Sequence, residues 1–273
     1  MKAPLISSRS NPIVKWLASL CEKKYRDQSK SFLLDGEKLA QEAIAAQAEI
    51  THFVIREDRE DYIALAEEYQ ASHPESQICV LSATCFDKIT TERSPQGVAV
   101  VVKYLDNSKY SYIINNKEPF MAEDVRGIVL LDSIRDPGNL GAILRSCAAF
   151  GGSRVILSSD CADLYHPRTQ RASMGAAFKL HIDITDDMPH TIELLREASF
   201  RVFAAELKSG AKSVLEVDLC ARDAIVIGNE GHGISEKVSA ACDGSIYIPI
   251  ENGVESLNAS VAASILIWEQ MKK

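Results

Sequence analysis

The chain has 273 residues, 46% of them apolar and 25% charged, an ordinary globular composition that can bury a core without disulfides or a metal. Its net charge of −8 argues against a protein that coats nucleic acid without selectivity. No uncharged apolar run approaches the roughly 20 residues that span a bilayer, so no membrane insertion is expected.

The charge is uneven. Residues 1–30 hold seven bases and two acids, a local balance of +5, which leaves −13 for the rest. A basic N-terminal arm on an acidic body suits contact with phosphates, and charge alone equally allows a solvated helix face. The seven cysteines form no C-x-x-C pair and no zinc spacing, and the N-terminus lacks the apolar core of a signal peptide. A reduced, cytoplasmic protein with no metal is the expectation.

Asn11-Pro12 opens a helix in which Ile13, Trp16, Leu17 and Leu20 recur at helical spacing. Strands and helices then alternate: strands at 32–35, 50–55, 78–81 and 97–102, helices at 36–48, 58–72 and 83–88. Residues 1–102 thus form a small α/β domain. Residues 103–126 mix charges, Asn pairs and a Pro, and read as a linker or insertion. A second α/β run fills 127–273, with strands at 128–131, 154–158, 178–184, 201–206, 224–227 and 246–250. Such alternation implies a mainly parallel sheet between helices, with ligands at the carboxyl ends of its strands.

Three segments of the second run share a layout of apolar strand, polar Gly/Asn turn and helix. The first, LLDSIRDPGNLGAILRS (130–146), has Asn139 placed to cap its helix and Arg145 about a turn and a half in. Alone, Asn139 reads as a cap and Arg145 as a surface residue. The second, AIVIGNEGHGIS (224–235), exposes Glu230 among three glycines in the order G-x-x-G-x-G, which is not the dinucleotide fingerprint. The third, SIYIPIENGVESLNASVAASILIW (245–268), crowds Ser256, Asn258 and Ser260 at a helix start, where polar side chains cap the helix or hold a ligand.

Together, DPGNLGAILR, IGNEGHGIS and IPIENGVESLNASVAASI resemble motifs 1, 2 and 3 of the SpoU (TrmH-like) branch of the SPOUT RNA methyltransferases. The resemblance covers 127–273 and extends to YHPRTQRASMGAAF between motifs 1 and 2. SSRSNPIVKWLASLCEKKYR and FLLDGEKLAQEAI resemble the L30e-like substrate-binding domain that precedes this catalytic domain, with Asp35 where Glu is more usual. Residues 103–126 have no obvious family counterpart.

The resemblance implies a C-terminal α/β trefoil-knot domain, a topology otherwise almost absent from proteins. It implies methyl transfer from S-adenosylmethionine to a ribose 2′-hydroxyl, of ribosomal RNA by the two-domain layout. A tRNA ribose methyltransferase, or a non-catalytic RNA-binding protein on the same scaffold, are the alternatives. Carried across, Arg145 is the central catalytic residue, with Asn139, Glu230, Ser256 and Asn258 around it. Gly228, Ile248 and Leu257 line the cofactor, and Ala205 and Glu206 join them by position. A homodimer is implied. Arg9, Lys15, Lys24 and Arg26 of the arm, with Arg168 and Arg171, are the expected RNA contacts. Since a guanidinium holds its proton in proteins, Arg145 is expected to fix phosphate or ribose and stabilise developing charge, with Glu230 or water as competing proton acceptor.

Overall fold

The computed structural model describes residues 3–105, 110–112, 125–251, 253 and 256–272. Most of the segment expected as a linker, 106–109 and 113–124, lies outside these residues. By contacts the chain forms two units, the first made of 1–105 and 163–178, the second of 106–162 and 179–273.

In the first unit the elements run β1 (Leu5–Ile6), α1 (Pro12–Ser19), α2 (Lys23–Ser29), β2 (Ser31–Asp35), α3 (Glu37–Ala45), β3 (Ile50–Arg56), α4 (Asp61–Ser72), β4 (Gln77–Leu81), α5 (Ala83–Ile89) and β5 (Val98–Lys103). Asn11 starts α1 as expected: its side chain accepts the Ile13 N–H at 2.9 Å, and Pro12 stands where no intrahelical donor is needed. The sheet order is β1-β4-β3-β5-β2, with β5 antiparallel to both β3 and β2. Val14, Leu17 and Leu20 pack with Phe86, Ile89, Val54 and Val101 to close the core on the α1 side.

The second unit contains β6 (Tyr110–Tyr112), β7 (Ile128–Leu131), α6 (Pro137–Phe150) and β8 (Arg154–Ser158). After α7 (Pro167–Ser173), which packs with the first unit, come β9 (His181–Thr185), α8 (Met188–Glu197), β10 (Arg201–Ala205), β11 (Lys212–Ser213), β12 (Asp223–Ile227), α9 (Glu236–Ala241), β13 (Gly244–Tyr247) and α10 (Ala259–Met271). The sheet order is β11-β13-β10-β12-β7-β8-β9-β6, parallel throughout. Every residue of β7 and β12 is buried, as expected for strands covered on both faces.

Two expectations change here. The C-terminal run is not one continuous unit: residues 163–178 return to the first. The cause is local, because Arg26 is 1% exposed and its guanidinium meets Asp163 Oδ2 at 2.6 Å, while Tyr165 stacks on Tyr104 with ring centroids 3.9 Å apart. The strand expected at 246–250 ends at Tyr247, since Pro249 has no N–H to donate and restrains the residue before it. Ile248 is thereby left in a loop at the sheet's carboxyl edge.

From β13 the chain returns past its neighbours to α10, which lies along α6. There Ser146 Oγ and Ser264 Oγ are 2.7 Å apart, Phe150 and Trp268 meet edge to face, and Gln270 donates to the Asp223 carbonyl at 2.6 Å. Cys147 sits at 0% exposure in this packing, and burial pushes its thiol up to about 12, so it serves as a core hydrophobe.

Candidate active site

The N-cap of α6 is Asp136, whose side chain accepts the Asn139 N–H at 2.9 Å. This corrects the reading of Asn139 as the cap and leaves its side chain for other partners. Asn258 does cap: its Oδ1 accepts from Ser260 N at 3.0 Å, Val261 N at 3.3 Å and Ser260 Oγ at 2.6 Å. With the oxygen so engaged, the Asn258 amide N–H points outward and donates to Asn139 Oδ1 at 3.0 Å. Asn139 Nδ2 must then face the other way, and it donates to Glu230 Oε1 at 2.6 Å. The two amides are oriented by this network. A directed chain, Asn258 to Asn139 to Glu230, thus ties together three segments that lie far apart in sequence.

Of the other expected catalytic residues, Arg145 is exposed on α6 and Ser256 is exposed ahead of α10. Neither makes a hydrogen bond or ion pair among the described residues. Arg145 therefore stands close in the chain to the motif 1 end of the network with its donors unspent.

The expected cofactor residues lie at the ends of three neighbouring strands. Ala205 on β10 is level with Ile246 on β13, and Ala204 with Val226 on β12, so the loops holding Glu206, Ile248 and Gly228 leave the sheet side by side. A Cβ on Gly228 would fall 2.4 Å from the Gly233 carbonyl carbon and 2.5 Å from Ile234 N. Main chain must therefore run against main chain at this point. Ile248 and Leu257 are half-buried and Ile250 is 39% exposed. Apolar side chains and main-chain groups at a strand-end crevice fit an uncharged ring and an aliphatic chain.

Glu206 differs from its neighbours. Its Oε1 accepts from Ser239 Oγ at 2.6 Å and Ser245 Oγ at 2.7 Å and pairs with Lys208 at 2.6 Å. Burial pushes its carboxyl up, but these three partners outweigh it and hold it below the usual carboxylate range. It braces the β10 loop against α9 and β13.

The structure also brings in residues that the sequence did not single out. Asn229 Oδ1 accepts from Gly231 N at 2.8 Å and His232 N at 3.2 Å, and its Nδ2 donates to the Ser133 carbonyl at 2.7 Å. It shapes the Glu230 loop and fastens it to the loop after β7. The side-chain turn favoured by Asn before Gly was its only local signal. Asp132, 7% exposed, accepts the Ser235 N–H at 2.9 Å across the same two loops.

Among the expected RNA contacts, Arg9, Lys15, Lys24 and Arg168 are exposed. Arg171 is engaged with Glu92 and with Thr91 Oγ1. Arg26 is a correction: besides Asp163 it donates to the carbonyls of Leu20 at 2.8 Å and Cys21 at 2.7 Å, so it holds the first unit together and cannot reach a phosphate. The described residues contain no gathered set of metal ligands, and no helix long and apolar enough to cross a membrane.

A parallel α/β sheet whose C-terminal chain turns back beneath its own loops, with amides and a carboxylate beside an apolar strand-end crevice, defines the SPOUT class of methyltransferases. The SpoU rRNA Methylase family matches residues 126–268, and the MRM3-like substrate binding domain matches residues 11–100. The chain belongs to the SpoU methylase family, an RNA methyltransferase family whose methyl donor is S-adenosylmethionine. It is 27% identical over 263 residues to the 23S rRNA (guanosine(2553)-2′-O)-methyltransferase RlmP of Bacillus subtilis, covering 96% of this chain and 97% of the relative. The AdoMet-bound rRNA methyltransferase of Sinorhizobium meliloti is similar in structure, with a TM-score of 0.82 and 26% identity over 98% of this chain and 97% of that one. An RNA 2′-O ribose methyltransferase aligns with a TM-score of 0.77 and 26% identity, covering 98% of each chain.

Proposed function

We propose that the protein transfers the methyl group of S-adenosylmethionine to a ribose 2′-hydroxyl of ribosomal RNA. The observation that carries this is the directed hydrogen-bond chain from Asn258 through Asn139 to Glu230, which orients one carboxylate at the mouth of the cofactor crevice. Relatives named for 2′-O and rRNA methylation support the acceptor.

The bound cofactor supplies an electrophilic methyl carbon on a sulfonium. Gly228, Ile248 and Leu257 hold it at the strand ends, with Ala205 beside them. The protein then has to align the 2′-oxygen in line with that carbon and take up the hydroxyl proton. Asn139 spends one oxygen of Glu230, and the other is left to accept from the hydroxyl. Arg145, exposed and unspent, grips the adjoining phosphate and offsets charge developing on the oxygen. Ser256 completes the ribose contacts. Arg9, Lys15, Lys24 and Arg168 supply phosphate contacts away from the reaction centre.

The working form is a homodimer. Val261, Ile265 and Trp268, at 47%, 36% and 55% exposure, recur along one face of α10 and leave an apolar stripe to be covered. Sedimentation of a Trp268→Glu variant as monomer, with the unaltered protein as dimer, is the expected result. RNA as substrate places the protein with ribosomes in the cytoplasm.

The reading is tested by incubating the protein with S-adenosylmethionine carrying a labelled methyl group and deproteinised rRNA, then hydrolysing in alkali. A methylated ribose blocks cleavage of the next phosphodiester, so the label should appear in alkali-stable dinucleotides. Label in mononucleotides would mean base methylation and would refute the proposal.

A further inference from the structure

The loops after β7 and β12 enclose a cavity of about 310 Å³, with Asp132, Arg135, Asn229, His232 and Ser235 among its walls. Asn229 precedes Glu230 directly, so this cavity adjoins the acceptor end of the Asn258–Asn139–Glu230 chain. Three of its side chains keep bonding capacity. Asp132 is 7% exposed, and only its Oδ2 is engaged, by the Ser235 N–H at 2.9 Å. His232 makes no side-chain bond among the described residues. Arg135 is 69% exposed and meets Asp160 through one nitrogen at 3.0 Å.

We propose that this cavity seats the base of the nucleotide being methylated, and that the base is guanine. The inference rests on the methyl-transfer reading and adds the identity of the acceptor. Sequence-selective proteins splay single-stranded bases out, stack them on flat side chains such as His and Arg, and bond their Watson–Crick edges. His232 and Arg135 are two such flat groups at one cavity. The carboxylate on its floor is acceptor-only and nearly dry, so it selects a ring that presents N–H donors. Guanine offers two adjacent donors, N1–H and the N2 amino group, on one edge. Uracil offers a single ring N–H flanked by two carbonyl oxygens, which a carboxylate repels. A site built around such a buried acceptor rejects bases that leave it unpaired.

The test uses the full-length protein, S-adenosylmethionine with a labelled methyl group, and both free rRNA and ribosomal subunits from cells lacking the protein, with RNA digested to nucleosides. Label in 2′-O-methylguanosine is expected. Label in another 2′-O-methylnucleoside overturns the base assignment and leaves ribose methylation standing, whereas label only in a methylated base refutes the parent reading as well. Asp132→Asn keeps an oxygen for Ser235 but presents a donor to the base. It should lower kcat/KM for RNA about 5- to 150-fold with cofactor affinity unchanged, and a wild-type value overturns the proposal. If that variant melts early, His232→Ala decides: KM for RNA should rise several-fold with kcat retained, and an unchanged KM overturns the proposal.

Discussion

Asp163→Asn isolates the contact that draws residues 163–178 into the first unit. Arg26 is 1% exposed and Asp163 16% exposed by side chain, at 2.6 Å. The other Asp163 oxygen accepts the Tyr165 N–H at 2.9 Å. An Asn at 163 has one oxygen for two donors, so either Arg26 or Tyr165 faces an amide N–H. The buried cation keeps only the Leu20 and Cys21 carbonyls. Breaking a buried pair from one side costs about 3–5 kcal/mol, and the residual solvent access of Asp163 points to the lower end, about 3 kcal/mol. With a urea slope near ~2 kcal/mol per M, the midpoint should fall by about 1.5 M. Unfolding of this unit is followed by the fluorescence of Trp16 in a Trp268→Phe background, because Trp16 lies on α1 and the two units need not unfold together. The Arg26→Met/Asp163→Asn double variant should regain most of the loss, since no buried charge remains. A midpoint within about 0.3 M of the parent, or a double variant no better than the single, would refute the reasoning.

Three other outcomes follow from the same geometry. Asn258→Asp retains a capping oxygen but removes the N–H that Asn139 accepts, so kcat should drop about tenfold or more while the melting temperature holds; equal kcat would show that the amide chain is idle. Gly228→Ala forces the Gly233–Ile234 main chain aside, an overpacking of about 1–3 kcal/mol, and calorimetry should find S-adenosylmethionine bound about 5- to 150-fold more weakly. Asp35 is raised above its ordinary value, chiefly by burial and further by Glu92, against the Thr90 hydrogen bond and Arg171. The folded state thus binds this proton more tightly than the unfolded one. Its stabilising contribution is full below about pH 4 and is lost as pH rises through the folded value. Asp35→Asn should flatten that part of the urea-midpoint profile of the first unit, and an unaltered profile would contradict the sign.

Much of this was legible along the chain because it depends on local chemistry. Alternating apolar strands and helices called for a parallel α/β sheet, Asn11-Pro12 marked the start of α1, and the Gly/Asn turns after three strands marked the catalytic loops. The resemblance of those turns to one family supplied Asn139, Glu230 and Asn258 as a set, and the structure joins those three by hydrogen bonds. Other readings needed the third dimension. Asp136 and Asn139 are both competent caps three residues apart, and only the fold shows that Asp136 takes the helix and frees Asn139. Arg26 looks like every other base of the arm, yet it is buried against a carboxylate 137 residues away. Asp132 and Asn229 carry no periodic or spacing signal, because their partners lie on a neighbouring loop about a hundred residues off. Sequence by itself determined which segments form elements and which turns carry chemistry, since propensity, capping and turn preference act within a few residues. Tertiary structure alone decided which polar groups are spent on the fold and which remain for a ligand, since that depends on desolvation and on partners brought together only by packing.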